Sequence, residues 1–190
     1  MALFYESVIL MLGERDILNK TKVSELKDVK NISFWGMQLE DIDIIKKLIN
    51  VNSITLSANN IKSLKVFQHC KKLSELFLRK NQISSLKELF YLHDLENLKT
   101  LWLSDNPITK EKDYRLFTIA VLPHITNLDE IQVTKEERAF AESKFPNPKE
   151  TINDNETQES ILKSISNLLP LLDKDSLNVL LKSINEINQK

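Results

Sequence analysis

Three histidines and a single cysteine are the side chains of this 190-residue chain most typical of nucleophilic catalysis or metal binding. His69 is followed directly by Cys70, but sequence neighbours need not face each other, so the pair alone does not indicate a Cys/His nucleophile. His93 and His124 have no histidine or carboxylate partner at a spacing typical of zinc sites. The loop carboxylates show no spacing that indicates an acid and base pair. We therefore predict no catalytic residue and no metal site.

Glycine content and net charge restrict the ligands that the chain can bind. Gly13 and Gly36 are the only glycines and lie far apart, so neither a phosphate-binding loop nor a dinucleotide-binding turn can be built. The formal net charge is −1, which provides no overall field for nucleic acid or for anionic lipid. We expect no cofactor, and we do not expect nucleic acid or a membrane as the main partner.

The first residues and the lone cysteine bear on the cellular location. Residues 2–12 are apolar but interrupted by Glu6, and they are shorter than the ~18 apolar residues of a membrane span. We predict a short helix there, laid against the domain that follows, and we regard residues 1–10 as an extension with Met11 as an alternative start. Cys70 has no second cysteine, so no intrachain disulfide forms, and a reducing cytosol or nucleus fits best.

An internal repeat organises the middle of the chain. Matching lines begin at Val29, Val51, Leu73 and Leu98, at steps of 22, 22 and 25 residues. They read VKNISFWGMQLEDI, VNSITLSANNIKSL, LSELFLRKNQISSL and LKTLWLSDNPIT. Each follows the pattern LxxLxLxxNxL, which is the signature of leucine-rich repeats. The sequence therefore predicts an α/β solenoid of about four short repeats with a parallel sheet on its concave face.

Alternation within each line predicts which side chains face the core. In the second line, Ile54 and Leu56 point inward while residues 53, 55 and 57 point outward. The same register makes Leu76 with Leu78, and Leu101 with Leu103, the inward pairs of later strands. Stacked repeats then bury one continuous leucine core.

An asparagine occupies the ninth position of three lines, namely Asn59, Asn81 and Asn106, whereas the first line has Met37 there. An asparagine side chain can satisfy backbone groups left unpaired where a strand turns into a loop. We predict a structural ladder of these three asparagines.

The segment after the fourth line predicts a cap for the solenoid. Apolar residues between 114 and 122 fit a buried helix ended by Pro123, and Thr134 with Glu137 fits a capping box for a final helix. A repeat array needs such a terminator because its last repeat would otherwise expose its apolar face.

The remaining chain divides into a linker and a helical tail. We predict an N-terminal helical cap or extension over residues 1–28, the repeat domain with its cap over 29–144, a linker over 145–158 and a helical hairpin over 159–190. Asp173 or Asp175 can cap the second tail helix. The apolar stripes of the tail either dock on the repeat domain or, as we favour, form an oligomeric helical bundle. The stripe residues are Ile161, Leu162, Ile165, Leu168, Leu169, Leu172, Leu177, Leu180, Leu181, Ile184 and Ile187.

Several motifs make the chain resemble one particular family. WGMQLEDI, LSELFLRKNQISSLKELFYL, LWLSDNP and the cap LPHITNLDEIQVTKEER resemble the cilia- and flagella-associated protein 410 family, over about residues 16–142. The resemblance implies a non-enzymatic repeat protein that binds a NIMA-related kinase, acts in cilium assembly at basal bodies and oligomerises through its C-terminal helices. It also implies a location in the cytoplasm, cytoskeleton and basal body, with the nucleus as a further possibility, and a DNA-repair role in animal members.

Outward strand positions provide the candidate partner contacts. The register places Trp35, Phe77, Arg79 and Trp102 on the concave face. Aromatic residues and arginine are frequent interface anchors. The alternative is that each ring packs only against neighbouring side chains.

A basic zone offers a second surface. Between residues 60 and 88, seven basic side chains face two glutamates. This charge is either a solvated face or a binding site for an acidic partner segment, with nucleic acid less favoured. The basic residues are Lys62, Lys65, Lys71, Lys72, Arg79, Lys80 and Lys87.

Other functional classes stay open as alternatives. A nuclear spliceosomal scaffold of the U2 A-prime type also has short repeats and a similar cap. A phosphatase-regulating repeat protein and an RNA-binding adaptor are further alternatives. A hydrolase that uses His69 or Cys70 is the alternative from a different class.

Overall fold

A sheet of very short parallel strands runs through the repeats. The computed structural model describes residues 10–152, Asp173, Leu177, Asn178 and Lys182. The chain divides into two units, Met1–Pro148 and Lys149–Lys190. Each unit is described by itself.

The β-strands of the first unit are two or three residues long. In chain order, those within residues 10–152 are β1 (Leu10–Met11), β2 (Asn31–Ser33), β3 (Leu39–Asp41), β4 (Ser53–Thr55), β5 (Glu75–Phe77), β6 (Thr100–Trp102), β7 (Asn127–Leu128) and β8 (Ile131–Gln132). Within residues 10–152, β2, β4, β5, β6, β7 and β8 lie side by side in that order, all parallel except the antiparallel pair of β7 and β8. β1 and β3 form a separate parallel pair.

The register of the large sheet buries one side chain of every strand. Ile54 of β4 pairs with Leu76 of β5, which pairs with Leu101 of β6, and all three are fully buried. Leu56, Leu78 and Leu103, two residues further along, are also fully buried. The predicted inward pairs and the leucine-rich-repeat fold are confirmed.

Short 3₁₀ helices return the chain from one strand to the next. With repeats of about 22 residues there is room for only one or two turns, and short segments favour the i to i+3 bonding of 3₁₀ helices. The third repeat, whose step to the next line is 25 residues, has the longest 3₁₀ helix, Leu86–Leu92. Each helix buries apolar side chains such as Ile45, Phe67 and Leu89. The other 3₁₀ helices are Leu26–Asp28, Asp43–Lys47, Lys65–His69 and Pro107–Lys110.

The N-terminal prediction of a helix over residues 2–12 is wrong at its end, and residues 2–9 lie outside the described residues. Leu10 and Met11 form strand β1, and the amide of Leu12 donates to the carbonyl of Asp41 at 2.9 Å. Strand β1 pairs with β3 and so provides hydrogen-bond partners for the backbone groups of β3. If residues 10–12 were helical, those groups would bond only to water. Helix α1 (Glu14–Thr21) begins only after Gly13, whose amide donates to the carboxylate of Asp16 at 2.9 Å.

Two helices close the far end of the repeats. Helix α2 (Tyr114–Val121) ends just before Pro123, as predicted. Helix α3 (Lys135–Lys144) packs on α2, and its first turn is capped by Thr134, whose hydroxyl accepts from the amide of Glu137 at 3.1 Å. The other half of the predicted capping box is replaced, because the carboxylate of Glu137 pairs with an arginine of α2.

Phe117 is the centre of the cap's apolar packing. Its ring makes edge contacts with Phe90, with centroids 6.2 Å apart, and with Phe145, 5.3 Å apart. Phe145, the first residue of the predicted linker, is half-buried and therefore contributes to the cap.

Little of the second unit is described. Residues 149–152, Leu177, Asn178 and Lys182 are helical, and the amide of Leu177 donates to the carbonyl of Asp173 at 3.0 Å. Leu177 is half-buried. The other predicted oligomerisation residues lie outside the described residues.

Candidate functional site

The face of the large sheet that is turned away from the core is the candidate site, and we call it the open face. Strand pairing places Ser33, Thr55, Phe77 and Trp102 side by side in one row across the sheet. A second row follows just past the strand ends, where the ladder continues as backbone hydrogen bonds. The second row consists of Trp35, Ser57, Arg79 and Ser104.

Three backbone bonds hold the second row together. The amides of Gly36, Ala58 and Lys80 donate to the carbonyls of the neighbouring strands' Ser57, Arg79 and Ser104, at 3.0, 2.8 and 2.9 Å. The side chains of this row are therefore positioned by a hydrogen-bonded backbone rather than by a free loop.

Phe77 and Trp102 form a pair of rings. They are direct neighbours in register, their ring centroids lie 5.0 Å apart, and the ring planes are perpendicular. Both residues are half-buried. Edge-to-face contact between two rings is stabilising. The part of each ring that touches the other therefore contributes to the fold, while the rest remains accessible on the open face.

Arg79 makes an ion pair on the open face. Its Nε donates to Oδ2 of Asp105 at 2.9 Å, and the two side chains are each 54% exposed. Such an exposed pair contributes about 0–1 kcal/mol to stability. Its main effect is to orient the guanidinium group and to neutralise its charge locally.

Trp35 is the most exposed of the four predicted contacts, at 68%. Ser57, its neighbour in the row, was expected to point outward but is only 9% exposed. A serine between a tryptophan and an arginine is too small to reach past them, which explains the difference. Ser57 forms the floor of a depression of about 530 Å³ that Trp35, Arg79, Lys80 and Asp105 also line.

The four predicted contact residues thus fall into two sets. Trp35 and Arg79 line one depression, whereas Phe77 and Trp102 contact each other in the adjacent row and do not line it. The two rows are neighbours, so both sets lie on the open face.

The asparagines of the repeats hold the backbone beneath this face. Oδ1 of Asn81 accepts from the amide of Ile61 at 3.0 Å, and its Nδ2 donates to the carbonyls of Leu56 and Leu78 at 3.0 and 2.9 Å. Asn59 and Asn106 make the equivalent bonds in their repeats. Each side chain therefore joins its own repeat to the preceding one.

At the end of the sheet, Asp129 takes over this function, and the sequence pattern did not indicate it. Its Oδ1 accepts from the amides of Leu103 and Ser104 at 2.6 and 2.8 Å, and its Oδ2 accepts from the hydroxyl of Tyr114 at 2.8 Å. Burial, followed by the adjacent Asp129 charge, raises the pKa of Tyr114 above its usual range. The sequence signal that could have indicated this role is an acidic residue directly after Leu128, which holds the last apolar position of the repeat pattern.

Arg115 and Arg138 fasten the cap and were also missed. Arg115 pairs with Glu137 through Nε at 2.6 Å and through Nη2 at 2.8 Å, and its Nη1 donates to the carbonyl of Leu128 at 3.0 Å. This pair, mainly through the Arg115 hydrogen bond, lowers the pKa of Glu137. Arg138 donates to the carbonyls of Ile119 and Ile125.

The residues considered for catalysis do not form a site. Cys70 is fully buried, its thiol donates to the carbonyl of Ile45 at 3.7 Å, and burial raises its pKa to about 12. His69 is exposed. Nδ1 of His93 lies 2.7 Å from the carbonyl oxygen of Val121. A buried, protonated thiol beside an exposed imidazole does not form a nucleophile and base pair.

The basic residues occupy several surfaces. Lys62 and Lys65 line a depression between two 3₁₀ helices together with Glu40, Asp41 and Asp43, whereas Arg79 and Lys80 line the depression on the open face. Among the described residues, no helix is long and apolar enough to cross a membrane, and no three His, Cys, Asp or Glu side chains are grouped in a way that could hold a metal.

The stacked parallel strands, the asparagine bonds and the capped end define a leucine-rich-repeat protein. The family model for leucine-rich repeats matches residues 25–156, and the chain belongs to this family.

Among curated proteins, the chain is similar to Cilia- and flagella-associated protein 410, and the resemblance inferred from its motifs is confirmed. The mouse protein is 43% identical over 130 residues, which cover 67% of this chain and 52% of the relative. The human protein is 42% identical over 137 residues, covering 70% of this chain and 54% of the relative. The chain thus spans about half the length of these relatives.

A further relative and a solved structure extend the comparison. Centrosomal protein of 72 kDa from mouse is 34% identical over 143 residues, covering 73% of this chain and 22% of the relative. The crystal structure of the Drosophila melanogaster SNF/U2A' complex is similar with a TM-score of 0.60 and 21% identity, covering 68% of this chain and 76% of that chain. The second likeness is one of fold alone.

Proposed function

We propose that this chain is a non-enzymatic scaffold that binds a protein partner through its open face. The observation that carries the proposal is the pair of rows in which Trp35, Phe77, Arg79 and Trp102 stand on a rigid sheet whose other face is the core. Large aromatic side chains and arginine contribute contact area at a modest entropic cost. The buried, protonated state of Cys70 supports the non-enzymatic part of the proposal.

The biological setting that we propose is the assembly of cilia or flagella at the basal body, within the cytoplasm and cytoskeleton. The names of the relatives support it, since two are cilia- and flagella-associated proteins and another is a centrosomal protein. The partner that the family resemblance implies is a NIMA-related kinase. We propose this kinase class as the protein that contacts the open face.

We further propose that the C-terminal helices make the protein oligomeric. The sequence predicts two helices with apolar stripes in residues 159–190; such stripes need to be covered, and helices of the predicted length are marginal in isolation. An oligomer would present several open faces together, which raises avidity without new contacts at each face.

The spliceosomal and phosphatase-regulatory alternatives have less support. The likeness to the chain in the SNF/U2A' complex is limited to the fold, at 21% identity. The curated relatives named above are instead 34–43% identical and are named for ciliary or centrosomal association.

The proposal is tested by replacing all four contact residues with alanine. We expect affinity for the NIMA-related kinase of the same organism to fall at least about tenfold by calorimetry, because several interface anchors are removed at once. The control is Phe140→Ala, which removes a 58% exposed ring from helix α3, away from the open face. If the quadruple variant is folded by circular dichroism and binds the kinase like the wild type, the open face is not the binding surface.

A further inference from the structure

Trp35 separates two depressions at the N-terminal end of the open face. On one side lies the depression floored by Ser57, of about 530 Å³. On the other side lies a depression of about 570 Å³ whose lining includes Leu10, Met11 and Met37. Trp35 lines both, so one bound segment that crosses this ring would contact both depressions.

The depression on the N-terminal side has several exposed apolar side chains at its rim. Met11, Met37 and Leu10 are 66%, 54% and 43% exposed, and Trp35 is 68% exposed. These four belong to the seven large apolar side chains that are exposed within the described part of the chain. A cluster of exposed apolar side chains around one depression is typical of an interaction site. Methionine also adapts readily to different apolar partners.

The depression on the other side of Trp35 has an excess of positive charge. Arg79 and Asp105 form an ion pair with each other. Lys80 is exposed, lines the same depression and forms no ion pair within the described part of the chain. In the apolar depression, by contrast, Asp16 and Lys20 balance each other in charge. The positive charge therefore lies on one side of Trp35 only.

We propose that the two depressions beside Trp35 bind a partner segment in which a large apolar side chain is followed or preceded, within a few residues, by aspartate or glutamate. The apolar side chain would pack against Met11, Met37 and Trp35, and the carboxylate would face Lys80, beside the Arg79–Asp105 ion pair. The inference rests on the proposed function and deepens it, because it makes Trp35 the centre of the interface and adds Met11, Met37 and Lys80 to it. Phe77 and Trp102 then lie at its margin.

The charge asymmetry selects this occupant. A purely apolar segment would leave Lys80 desolvated without a counter-charge, which is unfavourable. A basic segment would be repelled on that side. An acidic residue near an apolar anchor satisfies both depressions at once, and opposite charges at the rim of an interface favour the correct orientation of the partner.

The test begins with a random peptide library panned against the full chain, followed by fluorescence polarisation with the best enriched peptide. We expect enriched peptides to combine a large apolar residue with a nearby acidic residue. Trp35→Ala should weaken binding at least about tenfold, as for an interface anchor, and Lys80→Glu should weaken it about threefold or more. Replacing the peptide's acidic residue with lysine should restore binding to the Lys80→Glu variant.

Matched controls keep the result specific. Phe140→Ala removes a ring that is 58% exposed, against 68% for Trp35. Lys30→Glu reverses an exposed charge at the opposite ends of the strands. Neither variant should change the affinity. Circular dichroism checks that every variant is folded.

Four outcomes would overturn the inference. The first is a lack of enrichment, or enrichment of peptides without acidic residues. The second is loss of binding in a Phe77→Ala/Trp102→Ala variant with normal binding in the Trp35 and Lys80 variants; the proposed function would then stand and only this inference would fail.

The third is a dimer that Met11→Ser converts to monomer, which would assign the site to a second copy. The fourth is peptide binding only after deletion of residues 1–9, which would assign it to the chain's own N-terminus.

Discussion

At the scale of single residues, the buried asparagines show how one side chain links two repeats. Asn81 is 7% exposed, accepts from an amide of the preceding repeat and donates to carbonyls of both repeats. These backbone groups lie where a strand turns into a loop and have no ladder partner there. The asparagine therefore determines the shape of the turn that positions Arg79 on the open face.

The first prediction concerns this residue. Asn81→Ala should lower the free energy of unfolding by about 1–3 kcal/mol, because buried backbone groups lose their hydrogen-bond partner. Urea denaturation followed by circular dichroism measures the change. Asn97→Ala, which removes one exposed bond to the carbonyl of Lys71, should change it by less than about 0.5 kcal/mol. Equal losses in the two variants would contradict the role assigned to Asn81.

At the scale of elements, the cap depends on charged groups that join α2 to the segment after it. Arg115 of α2 bonds Glu137 of α3 and the carbonyl of Leu128 of β7. Asp129 closes the edge of the sheet and binds Tyr114 at the start of α2. Helix α3 has Ala141 as its buried residue, and polar groups attach it to the rest of the cap. Glu137 pairs with Arg115, Arg138 donates to the carbonyls of Ile119 and Ile125, and Lys144 pairs with Asp113.

The second prediction follows from the lowered pKa of Glu137. A carboxyl group with a lower pKa in the folded than in the unfolded state adds stability above its unfolded pKa, and this stability is lost as the pH falls through the folded pKa. The difference in unfolding free energy between the wild type and Glu137→Gln should therefore be largest near neutral pH and should shrink below about pH 4.5.

Denaturation at a series of pH values tests this dependence. Glu142→Gln, which changes an exposed glutamate on the same helix, serves as the control and should change the free energy of unfolding little. Carboxyl groups titrate between about pH 3 and about pH 7 in folded proteins. A Glu137→Gln difference in unfolding free energy that stays constant over this range would contradict the Arg115 attachment.

At the scale of the whole molecule, the repeat period determined most of what the sequence predicted. Since Ile54, Leu76 and Leu101 occupy the same position in successive repeat lines, their register could be derived without coordinates, and with it the positions of Phe77 and Trp102 on the open face. The strand at Leu10 and Met11 could not be derived from the sequence, because it forms by pairing with residues 39–41, which are distant in the chain. The role of Asp129 also depends on neighbours distant in sequence.

The third prediction concerns the tail. Deleting residues 159–190 should leave a folded monomer, while the full chain should self-associate, because the removed segment carries the apolar stripes. Light scattering coupled to size-exclusion chromatography measures both masses. A full chain that is monomeric at concentrations on the order of tens of micromolar would contradict oligomerisation through the tail.

The most direct test of the central claim is oxidative footprinting of the chain alone and in complex with the NIMA-related kinase. Binding through the open face predicts reduced oxidation of Trp35, Met37, Phe77 and Trp102, with Phe140 oxidised to the same extent in both states. Protection confined to the 3₁₀ helices, for example at Phe90 and His69, with unchanged oxidation of Trp35 and Trp102, would contradict the claim.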